Sequence, residues 1–96
     1  MILREPQGEQ VRVTFRLPST IWAESVHLVG DFNDWSRTSH PLQRTRDGEW
    51  EISLVLNQGK SYQFRYLVNR SDWQNDWNAD RYVSNPFGGE NSVIET

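Results

Sequence analysis

The sequence predicts an all-β domain, an antiparallel sandwich or barrel. Three observations carry that expectation. The dominant hydrophobic period is two, turn residues recur at roughly ten-residue spacing, and no ten-residue segment shows an apolar stripe at i, i+3, i+4 and i+7.

The elements follow in order. Val11, Val13, Phe15 and Leu17 alternate with Arg12, Thr14 and Arg16, which makes a half-buried strand ended by Pro18. Ser25 to Gly30 reads as a second strand, with Val26 and Leu28 on one face. A short strand near Pro41 to Arg46 turns at Asp47-Gly48 into a third alternating run, Trp50, Ile52, Leu54 and Leu56. Asn57-Gln58-Gly59-Lys60 turns that run into Tyr62, Phe64, Tyr66 and Val68, which alternate with Gln63, Arg65, Leu67 and Asn69. Asn69 to Asp72 is a polar turn. Asn85-Pro86-Phe87-Gly88-Gly89 is a loop before a last short strand, Ser92 to Glu95. Residues 1–9 carry little pattern and are expected to be a loosely ordered N-terminal segment before a domain over 10–96.

Composition limits the function. Ninety-six residues make one domain with few core positions to spare for polar groups. There is no cysteine, so disulfides, thiolate zinc sites and thiol nucleophiles are excluded. The apolar runs are too short for a membrane-spanning helix. Met1 to Pro6 lacks the basic flank and long apolar stretch of a signal peptide, so the expected location is cytoplasmic. A net charge of −3 argues against binding nucleic acid by phosphate neutralisation. Lys60 is the only lysine, and the other nine cations are arginines, which favour planar and stacked contacts. Five tryptophans in so short a chain either build a heavy core or form a binding surface.

Four constellations could carry chemistry. In Gly30-Asp31-Phe32-Asn33-Asp34-Trp35, two aromatics flank a tight turn, so one can enter the core while the other stands outward. In Trp73-Gln74-Asn75-Asp76-Trp77-Asn78-Ala79-Asp80, two tryptophans lie among polar or small residues. One is expected to face the core and the other to be exposed. Exposed rings rimmed by amides suit sugars, whose C–H face stacks on an aromatic while the hydroxyls bond to the rim. Arg65 sits mid-strand on the polar face, where a charge is ordinarily just solvated. Asp72, Asp76, Asp80 and Glu90 could in principle pair for glycoside hydrolysis or hold calcium. The segment lacks the alternation and glycine of a calcium loop, and turns and caps are the simpler use. His27 and His40 have no partner constellation and read as structural. Trp50 shares a face with Ile52 and Leu54, and Trp22 precedes a strand, so both are assigned to the core.

The Gly-Asp-Phe-Asn-Asp-Trp turn, the aromatic strand Tyr62 to Val68, Trp73 with Asp76, and Asn91-Ser92-Val93-Ile94 together resemble the family 48 carbohydrate-binding module. That family includes early-set domains of isoamylase, pullulanase and glycogen-branching enzyme, and the glycogen-binding domain of the AMP-activated protein kinase beta subunit. The resemblance runs from about Val11 to Glu95. It implies an immunoglobulin-like early-set β-sandwich of about seven antiparallel strands.

It also implies a glucan site. Trp35 and Trp73 would stack on glucose rings, Arg65 would replace a family lysine, and Asn91 would bond to hydroxyls. Phe87 falls where the family has leucine, and Gly89 where it has threonine, so that contact is lost. Trp77 falls where proline is usual and is an alternative second stacking ring. The expected function is non-catalytic binding of α-1,4-linked glucan of the glycogen or starch type, with no cofactor and no metal. The alternative is an interaction domain that docks a glucan-metabolising enzyme or a second copy of itself. Catalysis is not expected, because the family's catalytic carboxylates lie in a separate barrel.

Overall fold

The computed structural model describes residues 1–96, folded as two antiparallel sheets with a single 3₁₀ turn. The first sheet holds β1 (Ile2–Gln7), β2 (Gln10–Leu17), β5 (Trp50–Asn57) and β4 (Gln43–Arg44), in the order β1-β2-β5-β4. The second holds β3 (Val26–Gly30), β6 (Ser61–Val68), β9 (Glu90–Glu95) and β8 (Arg81–Ser84), in the order β3-β6-β9-β8. A short β7 (Asp72–Gln74) also pairs with β6. The all-β sandwich expected from the alternation is therefore observed, with nine strands where about seven were expected. No helix is long and apolar enough to cross a membrane.

The alternation of β2 becomes a layer of Val11, Val13, Phe15 and Leu17, all buried against Val26, Leu28, Phe64, Tyr66, Val68 and Ile94 of the facing sheet. Aromatic edges fill its centre. Phe15 and Phe64 meet edge-on at 5.1 Å, and Phe64 and Tyr66 at 5.8 Å. Trp50 joins this core as expected, at 5% exposure.

Residues 1–9 depart from the expectation of a loose segment. Ile2 to Gln7 pair with Phe15 to Gln10, a turn at Gly8 (φ 67°) closes the hairpin, and the Met1 ammonium donates to the Arg16 carbonyl at 2.7 Å. Apart from Ile2 its residues are exposed, and its backbone ladder holds it to the edge of β2. A strand without a buried face leaves no period-two signal.

Gly30, at the end of β3, is required by space. Its backbone is extended (φ −174°), which any residue can adopt. A Cβ there would lie 2.5 Å from the Gln63 carbonyl oxygen and 2.7 Å from Phe64 Cβ. That close approach brings the turn after β3 onto β6, where the candidate site is built.

Candidate functional site

Strand β6 changes partner along one edge. On that edge β9 pairs with Ser61 to Phe64 and β7 with Tyr66 to Val68, while β3 occupies the opposite edge from Phe64 to Val68. Arg65 is the residue between the two partners. Side chains alternate across a strand, so Gln63, Arg65 and Leu67 point away from the core that holds Phe64, Tyr66 and Val68. Val29, Leu67 and Val93 are buried yet lie outside the core cluster, and they pair with Arg65, Trp73 and Gln63 respectively. They give this outer face a small apolar floor. Beside it lies an open cleft of about 600 Å³, within the range of roughly 300–1,000 Å³ typical of ligand sites.

One wall is Trp35. The 3₁₀ turn Asp31–Asn33 sends its two aromatics apart, as the sequence suggested. Phe32 packs toward Phe15 (6.0 Å), Tyr62 (6.1 Å) and Phe64 (6.4 Å). Asp34 and Trp35 then adopt left-handed backbone (φ 54° and 57°), which swings the indole out to the cleft. Asp31 fixes it there. Its Oδ1 accepts the Trp35 Nε1–H at 3.0 Å, and its Oδ2 accepts the Gln63 backbone N–H at 2.8 Å.

Phe87, 94% exposed on the loop before β9, also lines the cleft. Asn85 organises that loop. Its Oδ1 accepts the backbone N–H of Phe87 at 2.9 Å and of Gly89 at 3.1 Å. Two N–H donors aimed at one amide end identify that end as the oxygen. The polarity of the next groups follows. Asn85 Nδ2 donates to Asn91 Oδ1 at 3.2 Å, and Asn91 Nδ2 donates to Gln63 Oε1 at 3.1 Å. Gln63 Nε2 is left as a cleft-lining donor with no protein acceptor. A continuous relay thus runs from the Phe87 loop through Asn85, Asn91, Gln63 and Asp31 to Trp35.

Trp73, partly exposed on β7, lines the cleft as well. Two guanidinium groups lie against its ring. Arg37 Cζ is 5.5 Å from the ring centroid and Arg65 Cζ 5.8 Å. Arg65 Nε is buried without a hydrogen-bond partner.

Of the six residues expected in the site, Trp35, Arg65, Trp73, Phe87 and Asn91 line this one cleft. Asn91 is 8% exposed, and both ends of its amide are engaged by protein. Trp77 does not join them. It is 85% exposed and lines a separate small groove with Met1, Leu17, Pro18 and Ile21. The expectation that Trp73 or Trp77 would face the core is corrected, because Asp76 takes the inward position between them. Asp76 is 2% exposed. Its Oδ2 accepts the Tyr66 hydroxyl at 2.6 Å, its Oδ1 accepts the Asn78 N–H at 2.7 Å, and its own N–H donates to Ser92 Oγ at 3.0 Å. The Tyr82 hydroxyl donates to its carbonyl. A buried carboxylate satisfied in this way pins the segment between the two tryptophans.

Trp22 is a second correction. It was assigned to the core and is 91% exposed. Its neighbours Ile21 and Ala23 pack against the core, so in an extended segment the residue between them points outward. Asp31, Gln63, Asn85 and Arg37 were not singled out from the sequence. The signal available was their place within the two loops and the strand that carry the aromatics.

Residues 4–88 match the family model described as Carbohydrate-binding module 48 (Isoamylase N-terminal domain). The chain belongs to this family. Carbohydrate binding is therefore its general role. Its curated relatives include a 1,4-alpha-glucan branching enzyme of Lactobacillus acidophilus, 44% identical over 87 residues, which cover 84% of this chain and 12% of that enzyme. The 1,4-alpha-glucan-branching enzyme of Dictyostelium discoideum is 54% identical over 41 residues, or 43% of this chain and 6% of the enzyme. That of Deinococcus radiodurans is 45% identical over 49 residues, or 47% of this chain and 7% of the enzyme. The chain thus spans a small fraction of the length of these relatives. The matched family is defined as a binding module, and the fold described above is the all-β sandwich that the resemblance implied.

Proposed function

We propose that this chain is a non-catalytic module that binds α-1,4-linked glucan of the glycogen or starch type in the cleft between Trp35, Trp73 and Phe87. The observation that carries the reading is the convergence of those three aromatics with Arg65 and Gln63 on one open cleft. Glucose offers an apolar face and a rim of hydroxyls, and the cleft offers rings with polar groups between them. In this reading Trp35 and Trp73 stack on glucose rings, and Phe87 extends the surface. Arg65 and the Gln63 Nε2–H donate to hydroxyl oxygens. Asn91, expected to bond to sugar directly, acts instead as a buried strut that holds Gln63.

The activity named in its relatives, 1,4-alpha-glucan branching, supports an α-1,4-glucan over other carbohydrates. The module supplies attachment and leaves bond-breaking to other proteins or domains. A cytoplasmic location belongs to the same proposal and fits a chain without cysteine. Electrophoresis through native gels with and without glycogen tests it. Retardation specific to the glycogen gel is expected, and equal mobility in both gels overturns the reading.

A second reading keeps the fold and makes the chain a docking domain for a glucan-metabolising enzyme or for a second copy of itself. Trp22 and Trp77, both largely exposed and both outside the cleft, favour it. Light scattering across a concentration series tests self-association.

A further inference from the structure

The cleft carries two arginines against one carboxylate. Arg37 and Arg65 both lie against Trp73, and neither forms a salt bridge or a side-chain hydrogen bond. Three other arginines, Arg4, Arg16 and Arg81, are paired with Asp80, Glu51 and Glu95. The only carboxylate lining the cleft is Asp31, and both its oxygens are occupied by the Trp35 and Gln63 N–H groups. The arginine Nε of residue 65 is buried without an acceptor. The whole chain is net acidic, at −3. Arg65 can serve a neutral glucan as a hydroxyl donor, and Arg37 adds a second guanidinium beside the same ring.

We infer that the cleft prefers an α-glucan bearing a phosphomonoester, with the phosphoryl group placed between the Arg37 and Arg65 guanidiniums at the edge of Trp73. This rests on the glucan-binding reading above and specifies its ligand. Each guanidinium presents a planar fork of donors, and a phosphomonoester has three terminal oxygens to distribute between two forks. The two arginines come from different elements, Arg37 from the segment after the 3₁₀ turn and Arg65 from β6. Their Cζ atoms lie 5.5 and 5.8 Å from the Trp73 ring centroid, so one indole gathers both cations on the cleft. Gln63 and Trp35 lie on the same cleft, so the sugar carrying the phosphate keeps its ring and hydroxyl contacts.

The test is calorimetric titration of the full chain with maltoheptaose, maltoheptaose carrying a 6-phosphate on one glucose, and glucose 6-phosphate alone. Each is run at low and high salt with wild type and Arg37→Gln. The phosphorylated chain is expected to bind about tenfold tighter than maltoheptaose at low salt, a preference that added salt reduces. Arg37→Gln is expected to remove most of the preference, so that the phosphorylated chain loses several-fold more affinity than maltoheptaose does. Equal affinity for the two oligosaccharides, or a preference untouched by Arg37→Gln, overturns the inference and leaves neutral glucan binding standing. Glucose 6-phosphate binding as tightly as the phosphorylated chain also overturns it, because the anion alone would then be recognised. Binding of none of the three overturns both this inference and the glucan reading.

Discussion

Trp35 reaches β6 through Asp31, whose carboxylate holds the indole N–H with one oxygen and the Gln63 N–H with the other, at 3.0 and 2.8 Å. The indole and the strand beside it are thereby set in one geometry. Preorganisation of this kind reduces the ordering cost of binding. Asp31→Ala is expected to weaken maltoheptaose affinity about tenfold. Its cost in stability is smaller, about 1 kcal/mol for exposed hydrogen bonds. Calorimetry beside urea unfolding checks the split, and an affinity loss no larger than the stability loss would contradict it.

Asn85 shapes the loop that carries Phe87. Removing its side chain frees the two loop N–H groups that shape residues 85–89. Asn85→Ala and Phe87→Ala are each expected to lower glucan affinity by about threefold to tenfold. The double variant is expected to lose no more than the worse single one, since the two substitutions disable the same contact. Additive losses in a double-mutant cycle would show that Asn85 contributes independently.

The Tyr66–Asp76 pair is a stability element beneath the site. Tyr66→Phe leaves Asp76 Oδ2 buried without its 2.6 Å donor, at a cost of about 1–3 kcal/mol near neutral pH. Burial, and then the Asp76 charge and hydrogen bond, raise the Tyr66 phenol well above its ordinary value of 10.0. In the unfolded chain the phenol ionises near that ordinary value, while in the folded chain it stays protonated. Above about pH 10 the unfolded state therefore binds fewer protons, and stability falls as pH rises. Urea midpoints measured from neutral pH to above pH 10 are expected to converge for wild type and Tyr66→Phe. A gap that stays constant throughout would contradict the pair's role.

Trp77 separates two readings that residue types alone left open. Trp77→Ala is expected to leave glucan affinity within about twofold of wild type, because the ring lies in a different groove from Trp35 and Trp73. A loss comparable to that of Trp73→Ala, in a variant with an unchanged urea midpoint, would place the second stacking ring at residue 77.

The extent to which the sequence disclosed this molecule depended on burial. Strands with one buried face, such as β2 and β6, are legible because alternation records the core. Strands β1 and β8 are almost wholly exposed and β7 has three residues, so pairing holds them without leaving a pattern. The aromatics and Arg65 were legible because rings in polar segments are conspicuous. Asp31, Gln63 and Asn85 were not, because their role is to bond other site groups, and that requires knowing which strands are neighbours. Trp22 misled for the opposite reason. A large apolar side chain is usually buried, and only the packing of Ile21 and Ala23 turns it outward.

In the proposed function, Trp35 and Trp73 form one sugar-binding surface. Titration of intrinsic tryptophan fluorescence with maltoheptaose, for wild type, Trp35→Ala and Trp73→Ala, tests it most directly. A saturable change is expected in wild type, and its loss is expected in both variants with their β-sheet circular dichroism intact. No change in wild type up to millimolar sugar, or full binding retained by both variants, would contradict it.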